Sequence, residues 1–323
     1  MKHSWKITSL LLGMFLLTQL IGLFVIEQYK PEIKQVVDNE GNSINITSYN
    51  LPYGMDPPKD ISPEVSVISI IFAVAIAVFL MLFLMKYKAE LFLRIWFFSV
   101  VTLALGITIT AVLIKFGLFL NRIDFLFWNV PLSWIISLIM ALPLAFMKIF
   151  KRHLMVHNLT EMIIYPGIAT IFVPLLSVWT VVFLLILISL YDMYAVWHAG
   201  FMQKMAKYQI QKLKVFTGFF VPYLGKKERK LIDKIKNSKS KKDKNKKIKV
   251  SIAILGGGDV VFPIILGGVV LRQLGIVQGI IIALGATLAL AGLFYISKKG
   301  KFYPAMPFIT AGCFLALGIA YLI

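Results

Sequence analysis

The stretch AILGGGDVVFPIIL, residues 253–266, decides the fold class, because it places one aspartate in a segment that is otherwise apolar enough for a lipid bilayer. Three consecutive glycines precede Asp259. The rest of the chain is similar in character, with 59% hydrophobic residues, 15% charged residues and a mean hydropathy of +0.83. A water-soluble domain needs a more polar surface than this composition supplies. The sequence therefore predicts an integral membrane protein.

The apolar segments of the chain are long enough to cross a membrane repeatedly. A helix needs about 20 apolar residues to cross roughly 30 Å of hydrocarbon. We predict an all-α polytopic membrane protein, with a tight turn between its fifth and sixth spans near Pro174 and Ser177. Its nine transmembrane helices are expected at 7–26, 65–85, 93–114, 126–147, 156–176, 178–198, 250–270, 274–296 and 302–322.

The basic residues predict the orientation, because Lys and Arg near the ends of spans stay preferentially on the cytoplasmic side. With the N-terminus inside, 28 of the 34 Lys and Arg residues fall on cytoplasmic segments. We therefore expect a cytoplasmic N-terminus and an extracytoplasmic C-terminus. The chain then divides into a six-helix N-terminal membrane part (1–198), a basic cytoplasmic loop (199–249) and a three-helix C-terminal membrane part (250–323).

Most of the net charge of +19 comes from the basic loop, which holds seventeen Lys and Arg residues against three acids. Charge blocks of this kind are typical of solvated topology signals that contact anionic lipids. We therefore expect membrane lipid, and no nucleic acid, as the partner of this loop. Within it, FTGFFVPYLGKKERKLIDKI (216–235) mixes aromatic and basic residues and is expected on the membrane surface.

Neither the cysteine nor the histidines indicate a metal site. Cys313 is the single cysteine, so thiol ligation is not expected. His153 and His157 are four residues apart, but no third ligand is evident, and we interpret them as interfacial polar residues. The GGGD segment lacks the lysine and hydroxyl residue of a phosphate-binding loop. We expect no cofactor and no metal ion.

The acidic residues within the membrane are the main functional signal. We assign Glu90, Asp124 and Glu161 to the ends of spans, which leaves Asp192 and Asp259 inside the bilayer. An ionisable side chain at membrane depth is costly and indicates function.

These two aspartates are expected at matching depths on antiparallel helices. Asp192 precedes the first lysine of the basic loop by twelve residues, and Asp259 follows the last by ten. Two carboxyl groups that meet in a low-dielectric site do not both ionise readily, so one holds a proton while the other acts as a base. Aspartic proteases activate water with such a pair. A cation-binding or proton-relaying channel or transporter would use the same residues without hydrolysis.

The residues around Asp259 favour an open backbone. Gly256, Gly257 and Gly258 allow another chain to approach closely, and Pro263 cannot donate the helical hydrogen bond to the Asp259 carbonyl. Glycines alone would also suit a close contact between membrane helices. The aspartate beside them favours a site.

The sequences SLYDMYAVW (189–197) and LGGGDVVFP (255–263) resemble the YD and GxGD motifs of the presenilin and signal peptide peptidase family of intramembrane aspartyl proteases. YPAMPFI (303–309) is similar to the PAL element of that family, with Met306 in place of leucine, which conserves volume. The amino-acid sequence of the first motif resembles that of presenilin most, and in particular that of an archaeal homologue. The resemblance is convincing over residues 180–323.

The resemblance implies hydrolysis of peptide bonds within single-span transmembrane substrates, with Asp192 and Asp259 as the catalytic pair. Tyr191 and the three glycines would shape the active site, and the first six spans would surround the last three. The substrate-binding residues would be Pro304, Ala305, Met306 and Pro307. We expect a multi-pass protein of the cell membrane that needs no obligatory partner subunit.

Residues 249–254 leave two structures open. Val250, Ile252 and Ile254 alternate with smaller residues, a period of two that suits an extended strand. In the family, a substrate strand adds at this position. The alternative is that 249–254 simply begins the seventh helix.

Type IV prepilin peptidases are a further rival, since they also carry a GxGD motif. In those enzymes a lysine follows the motif, whereas Val260 and Val261 follow it here. That reading would also leave the YPAMPFI segment unexplained.

Overall fold

The structure is a computed structural model of the 323-residue chain. Transmembrane helices dominate it, and short strands join several of them. The residues that it describes are 5–37, 43–48, 51–54, 68–69, 72–73, 76, 79–80, 83–84, 87, 89–125, 128–151, 153–199, 217–223, 251–297 and 303–323.

Eight α-helices form the body of the described structure. Most are apolar around their whole circumference, as expected for helices with protein on one side and lipid on the other. Their bounds are α1 Trp5–Gln28, α2 Glu90–Lys115, α3 Leu132–Phe146, α4 Leu154–Phe172, α5 Val178–Tyr194, α6 Gly257–Leu274, α7 Ile276–Ile296 and α8 Met306–Leu322.

Seven helical segments, built on α1 to α7, are long and apolar enough to cross a membrane, and α8 is a slightly shorter apolar helix of 17 residues. The expected break between the fifth and sixth spans is confirmed. There, a short 3-10 helix, Val173–Leu175, ends α4, and the Ser177 side chain caps α5. Of the span expected at 65–85, only scattered helical residues belong to the described part of the chain.

Three two-stranded antiparallel sheets show that the all-α prediction was incomplete. The pairs are β1 Glu32–Val37 with β2 Ser43–Ser48, β3 Arg122–Phe125 with β4 Trp128–Pro131, and β5 Gly218–Tyr223 with β6 Ser251–Gly256. Two predicted spans therefore began too early. Residues 128–131 are strand and α3 starts at Leu132, while residues 251–256 are strand and α6 starts at Gly257.

Helix α6 lies at the centre of the molecule. It contacts α1, α4, α5, α7 and α8, and every residue from Pro263 to Leu271 is buried. Its small residues permit these close contacts. A methyl group on Gly267 or Gly268 would meet Leu23 or Ile26 of α1, respectively. The main hydrophobic core extends from this helix to α1, α4 and α8.

Candidate active site

Asp192 lies in the last turn of α5, where that helix faces the start of α8. Its side chain is 8% exposed. The carboxylate accepts a hydrogen bond of 3.1 Å from the Met306 backbone N–H and another from the Ala305 N–H. These donors are available because they belong to the first turn of α8, whose N–H groups have no partner within the helix.

Asp259 is the third residue of α6, directly after β6. Its side chain is partly exposed and accepts a hydrogen bond from the backbone N–H of Gly256, the residue that caps the helix. An acidic side chain at this third position that reaches back to the capping residue is half of a capping box. Pro263 lies within α6, where it cannot donate to the Asp259 carbonyl.

The fold brings the two aspartates together. Asp192 and Asp259 lie on neighbouring helices, α5 and α6, and their carboxyl groups are close enough for their charges to interact. Both accept hydrogen bonds from backbone N–H groups. Two carboxyl groups whose charges interact do not both ionise readily, which suits a pair that activates water.

The two glycines before Asp259 have different environments. A methyl group on Gly257 would lie 2.8 Å from the Tyr165 hydroxyl oxygen and 3.0 Å from its ring. Among the described residues, a methyl group on Gly258 would meet Phe262 alone, at 3.8 Å. Close approach of Tyr165 therefore requires glycine at position 257. Tyr191, the other residue expected to shape the site, is 51% exposed.

The PAMP segment at the start of α8 lies beside Asp192. Pro304 and Met306 are buried, whereas Ala305 and Pro307 are partly exposed. One turn before Asp192, the Ser189 hydroxyl donates a 2.8 Å hydrogen bond to Thr310 Oγ1 of α8. Both hydroxyls are buried. This bond links α5 and α8 next to the carboxyl group that the segment contacts.

Helix α1 also contacts the site, which the sequence did not indicate. The buried Gln19 amide donates a 3.0 Å hydrogen bond to the carbonyl of Val260, the residue after Asp259. This bond lies one residue from the Asp259 carbonyl, to which Pro263 cannot donate. A lone glutamine in an apolar span was the available signal for this contact.

Glu161 is a further acidic residue inside the protein, in addition to Asp192 and Asp259. We placed it at the end of a span, but it is 0% exposed. Its Oε1 accepts a 2.5 Å hydrogen bond from Lys148 Nζ and lies 3.5 Å from His157 Nε2. The prediction that His157 is simply interfacial was therefore also incomplete. Tyr165 lies within electrostatic reach of both Glu161 and Asp259.

The strand alternative is correct for the segment before Asp259. Ser251–Gly256 pairs with Gly218–Tyr223, with Gly218 opposite Gly256 and Phe220 opposite Ile254. The expected surface location of 216–235 is wrong for the strand within it, since Phe219 is 0% exposed and its ring packs edge-on against Tyr165, with centroids 5.7 Å apart. Residues 224–235 lie outside the described residues.

No candidate metal site is present in the part of the chain that the structure describes. There, the His, Cys, Asp and Glu side chains form no group of three that could hold a metal ion.

Comparison with known families identifies the class of this protein. The family model of signal-peptide peptidase, presenilin aspartyl protease matches residues 45–323. The chain belongs to this family. It is an intramembrane aspartyl protease, and therefore an aspartic endopeptidase in a multi-pass membrane protein. This assignment favours peptide hydrolysis over the transporter and prepilin peptidase alternatives.

Solved structures show the same fold. A presenilin family intramembrane aspartate protease in a C222 crystal form matches with a TM-score of 0.58 and 17% identity, covering 98% of each chain. The P2 crystal form of a presenilin family intramembrane aspartate protease gives a TM-score of 0.57 and 16% identity, covering 97% of this chain and 96% of the other. No curated protein sequence gives a significant match.

Proposed function

We propose that Asp192 and Asp259 are the catalytic pair of this protease. The observation that carries the proposal is the meeting of two intramembrane carboxyl groups on α5 and α6, each oriented by backbone N–H donors. Both residues also occupy the matching positions of the family motifs. One carboxylate takes a proton from water, while the other, protonated, donates a hydrogen bond to the scissile carbonyl.

The reaction then proceeds through a tetrahedral diol. The water oxygen bonds to the carbonyl carbon while the pair takes one proton from the water and gives its own proton to the carbonyl oxygen, so the diol carries two hydroxyl groups. Collapse of the diol breaks the C–N bond, the pair gives a proton to the departing nitrogen, and it takes one back from the diol hydroxyl that becomes the new carbonyl oxygen. The products are a new carboxyl group and a new amine, and the pair ends with the number of protons with which it began.

The substrate is a single-span transmembrane protein or peptide, which must unwind locally before a peptide bond can reach the pair. Strand β6 supports this proposal, because it ends at Gly256, next to Asp259. A substrate strand that adds to β6 acquires the backbone hydrogen bonds that it loses on leaving its helix. Pro304, Ala305, Met306 and Pro307 bound the substrate on the side of Asp192, and Tyr191 and the glycines shape the site.

The finer membrane arrangement is part of the same proposal. The chain has nine spans, a cytoplasmic N-terminus and an extracytoplasmic C-terminus, in the cell membrane. The bias of Lys and Arg residues supports this orientation. The division into parts 1–198, 199–249 and 250–323 follows from the same spans. The chain works without an obligatory partner subunit, and the position of the pair within one chain supports this.

The test is proteolysis by the purified chain in detergent. A peptide that contains one transmembrane segment should be cut within that segment, and a transition-state analogue that carries a hydroxyl in place of the scissile carbonyl should stop the reaction. Product masses identify the bonds that are cut. Absence of cleavage in the parent chain, or cleavage that the analogue leaves unchanged, would contradict the proposal.

A further inference from the structure

The edge of β5 that faces away from β6 is held by side chains of α4. The Asn158 carboxamide makes two hydrogen bonds to Phe220, donating to its carbonyl at 2.8 Å and accepting from its N–H at 3.0 Å. The side chain thus forms the pair of bonds that a neighbouring strand would form with one residue. A helix thereby takes the place of a third strand.

A second pair of contacts holds Gly218, two residues earlier in β5. His157 Nε2 donates to the Gly218 carbonyl at 2.8 Å, and the Gly218 N–H donates to Glu161 Oε1 at 3.4 Å. The His157 ring also packs on the Phe220 ring, with centroids 5.0 Å apart. Lys148 provides the counter-ion for Glu161. We refer to Asn158, His157 and Glu161 of α4, together with the counter-ion Lys148 from the helical turn Met147–Lys151 before α4, as the α4 clamp.

The clamp contains a buried ion pair, which is a weak source of stability. Removing two charges from water costs much of what their attraction returns, and apolar residues of similar size often serve as well or better. A buried polar network is more easily explained by what it positions. Here the positioned group is the backbone of β5.

The clamp also determines which backbone groups of β6 remain available. In an antiparallel pair, backbone groups alternate between facing the partner and facing away. Gly218 and Phe220 face α4, so their partners in the register, Gly256 and Ile254, turn their own N–H and C=O groups away from β5. Pro222, which has no N–H, falls in the same alternating set as Gly218 and Phe220, where it removes no sheet hydrogen bond.

The open edge of β6 leads directly to the catalytic pair. The Gly256 N–H, which faces away from β5, is the group that donates to Asp259. The groups of Ile254 and Ile252 continue the same edge, and the Ile254 side chain is exposed. A substrate strand on this edge would therefore run alongside Ile252 and Ile254 and reach Asp259 at the position of Gly256.

We propose that the α4 clamp keeps β5 and β6 paired before substrate arrives, and so determines which peptide bond of the substrate strand reaches Asp259. The residues of the clamp are positioning residues, since they act through β5 and β6. This inference rests on the proposed substrate strand and catalytic pair. Without the clamp, substrate binding would have to order the strands itself, which weakens binding and allows more than one register.

The test replaces Asn158 and His157 in the full chain and measures both kinetics and products. Asn158→Ala should raise KM about tenfold, since two hydrogen bonds are lost, and leave kcat within about threefold because Asp192 and Asp259 are intact. Mass spectrometry should show cleavage spread over additional neighbouring bonds. His157→Ala should act in the same direction, and His157→Gln, which keeps a donor for Gly218, should restore the parental sites.

Ser137→Ala is the matched control. It removes a buried hydroxyl that also makes several hydrogen bonds, but these run to Tyr53, Thr110 and the Trp134 carbonyl, away from β5. Its melting temperature should fall while its cleavage sites stay parental. The proposal is overturned if Asn158→Ala and His157→Ala keep parental KM and sites, or if they lose kcat alone. If the Asn158→Ala protein does not accumulate in cells, the comparison of His157→Ala with His157→Gln tests the proposal instead. A parent chain that cleaves nothing would instead refute the proposed function.

Discussion

Residue 257 shows how one side chain in the core sets the composition of a motif. The Tyr165 ring occupies the space where any other residue at position 257 would place its Cβ. The Tyr165 hydroxyl is buried, on the side of Glu161 and Asp259. The three consecutive glycines predict a site of close approach. The sequence does not predict that Tyr165 is the residue that approaches, because it lies 92 positions earlier and nothing in its local sequence indicates the contact.

Gly257→Ala is therefore expected to impair cleavage. The new methyl group would overlap Tyr165 and displace the first turn of α6, which carries Asp259. Overpacking of this kind costs about 1–3 kcal/mol, and we expect a loss of about tenfold or more in kcat/KM. Adding Tyr165→Phe should recover part of the loss, because the nearest atom, the hydroxyl oxygen, is removed. Initial rates on the single-span peptide measure both effects.

The neighbouring glycine is the control for this prediction. Gly258→Ala adds the same methyl group to the next residue, where its one neighbour within the described structure is Phe262, at an ordinary contact distance. Its loss should be much smaller. Equal damage at the two positions would show that both glycines are needed for backbone freedom and that the contact with Tyr165 is not the reason.

Asp192 and Asp259 could be predicted from the sequence, because a charge far from both ends of an apolar segment has few explanations. Glu161 could not. Glu161 lies near the start of its span. Its partner Lys148 lies at the end of the preceding helical segment, where the sequence indicates only another of the basic residues that determine orientation. Pairing between two helices leaves no periodic signal in either one.

At the scale of elements, the contact between α7 and α8 holds the PAMP segment in place. Gly285 and Gly312 approach so closely that a methyl group on Gly312 would lie 2.6 Å from the Gly285 carbonyl oxygen and against Ala289. Seams of small residues are a common means of packing membrane helices. Because Met306 begins α8 and donates to Asp192, the seam positions one side of the proposed catalytic pair.

Gly312→Val should push α8 away from α7. The displacement would move the Met306 N–H from Asp192, and we expect cleavage to fall by about tenfold or more along with the melting temperature, given the usual cost of overpacking. Gly318→Val provides the control, since Gly318 lies on the same helix and no described residue comes within 4 Å of an added Cβ. Equal activity of the two variants would contradict this role of the seam.

Hydropathy could predict the helices of this chain but not its strands. Most expected spans agree with observed helices to within a few residues, because the apolar length needed to cross a bilayer is a strong constraint. Strand β5 lies within a segment whose basic residues dominated its interpretation. In this strand, the buried Phe219 and Val221 alternate with the more exposed Phe220 and Pro222, but the alternation is short. Its partner strand β6 is also distant in sequence.

At the scale of the whole molecule, the proposed orientation can be tested with single cysteines. The native Cys313 is buried, so the parent chain provides a low background for a membrane-impermeant maleimide. Ser62→Cys, between the first two expected spans, should be labelled in intact cells, whereas Ser240→Cys, in the basic loop, should be labelled only after permeabilisation. The opposite pattern would invert the proposed topology.

The most direct test of the central claim is cleavage by chains in which Asp192 or Asp259 is replaced singly by Asn. Such a replacement removes the ionisable group but keeps a similar shape, so each variant should insert, purify and melt like the parent. Catalysis needs both carboxyl groups, so neither variant should release detectable product from the single-span peptide, and the double variant should be no worse. A variant at either position that still cleaves at a substantial fraction of the parental rate would remove that residue from the pair and contradict the mechanism.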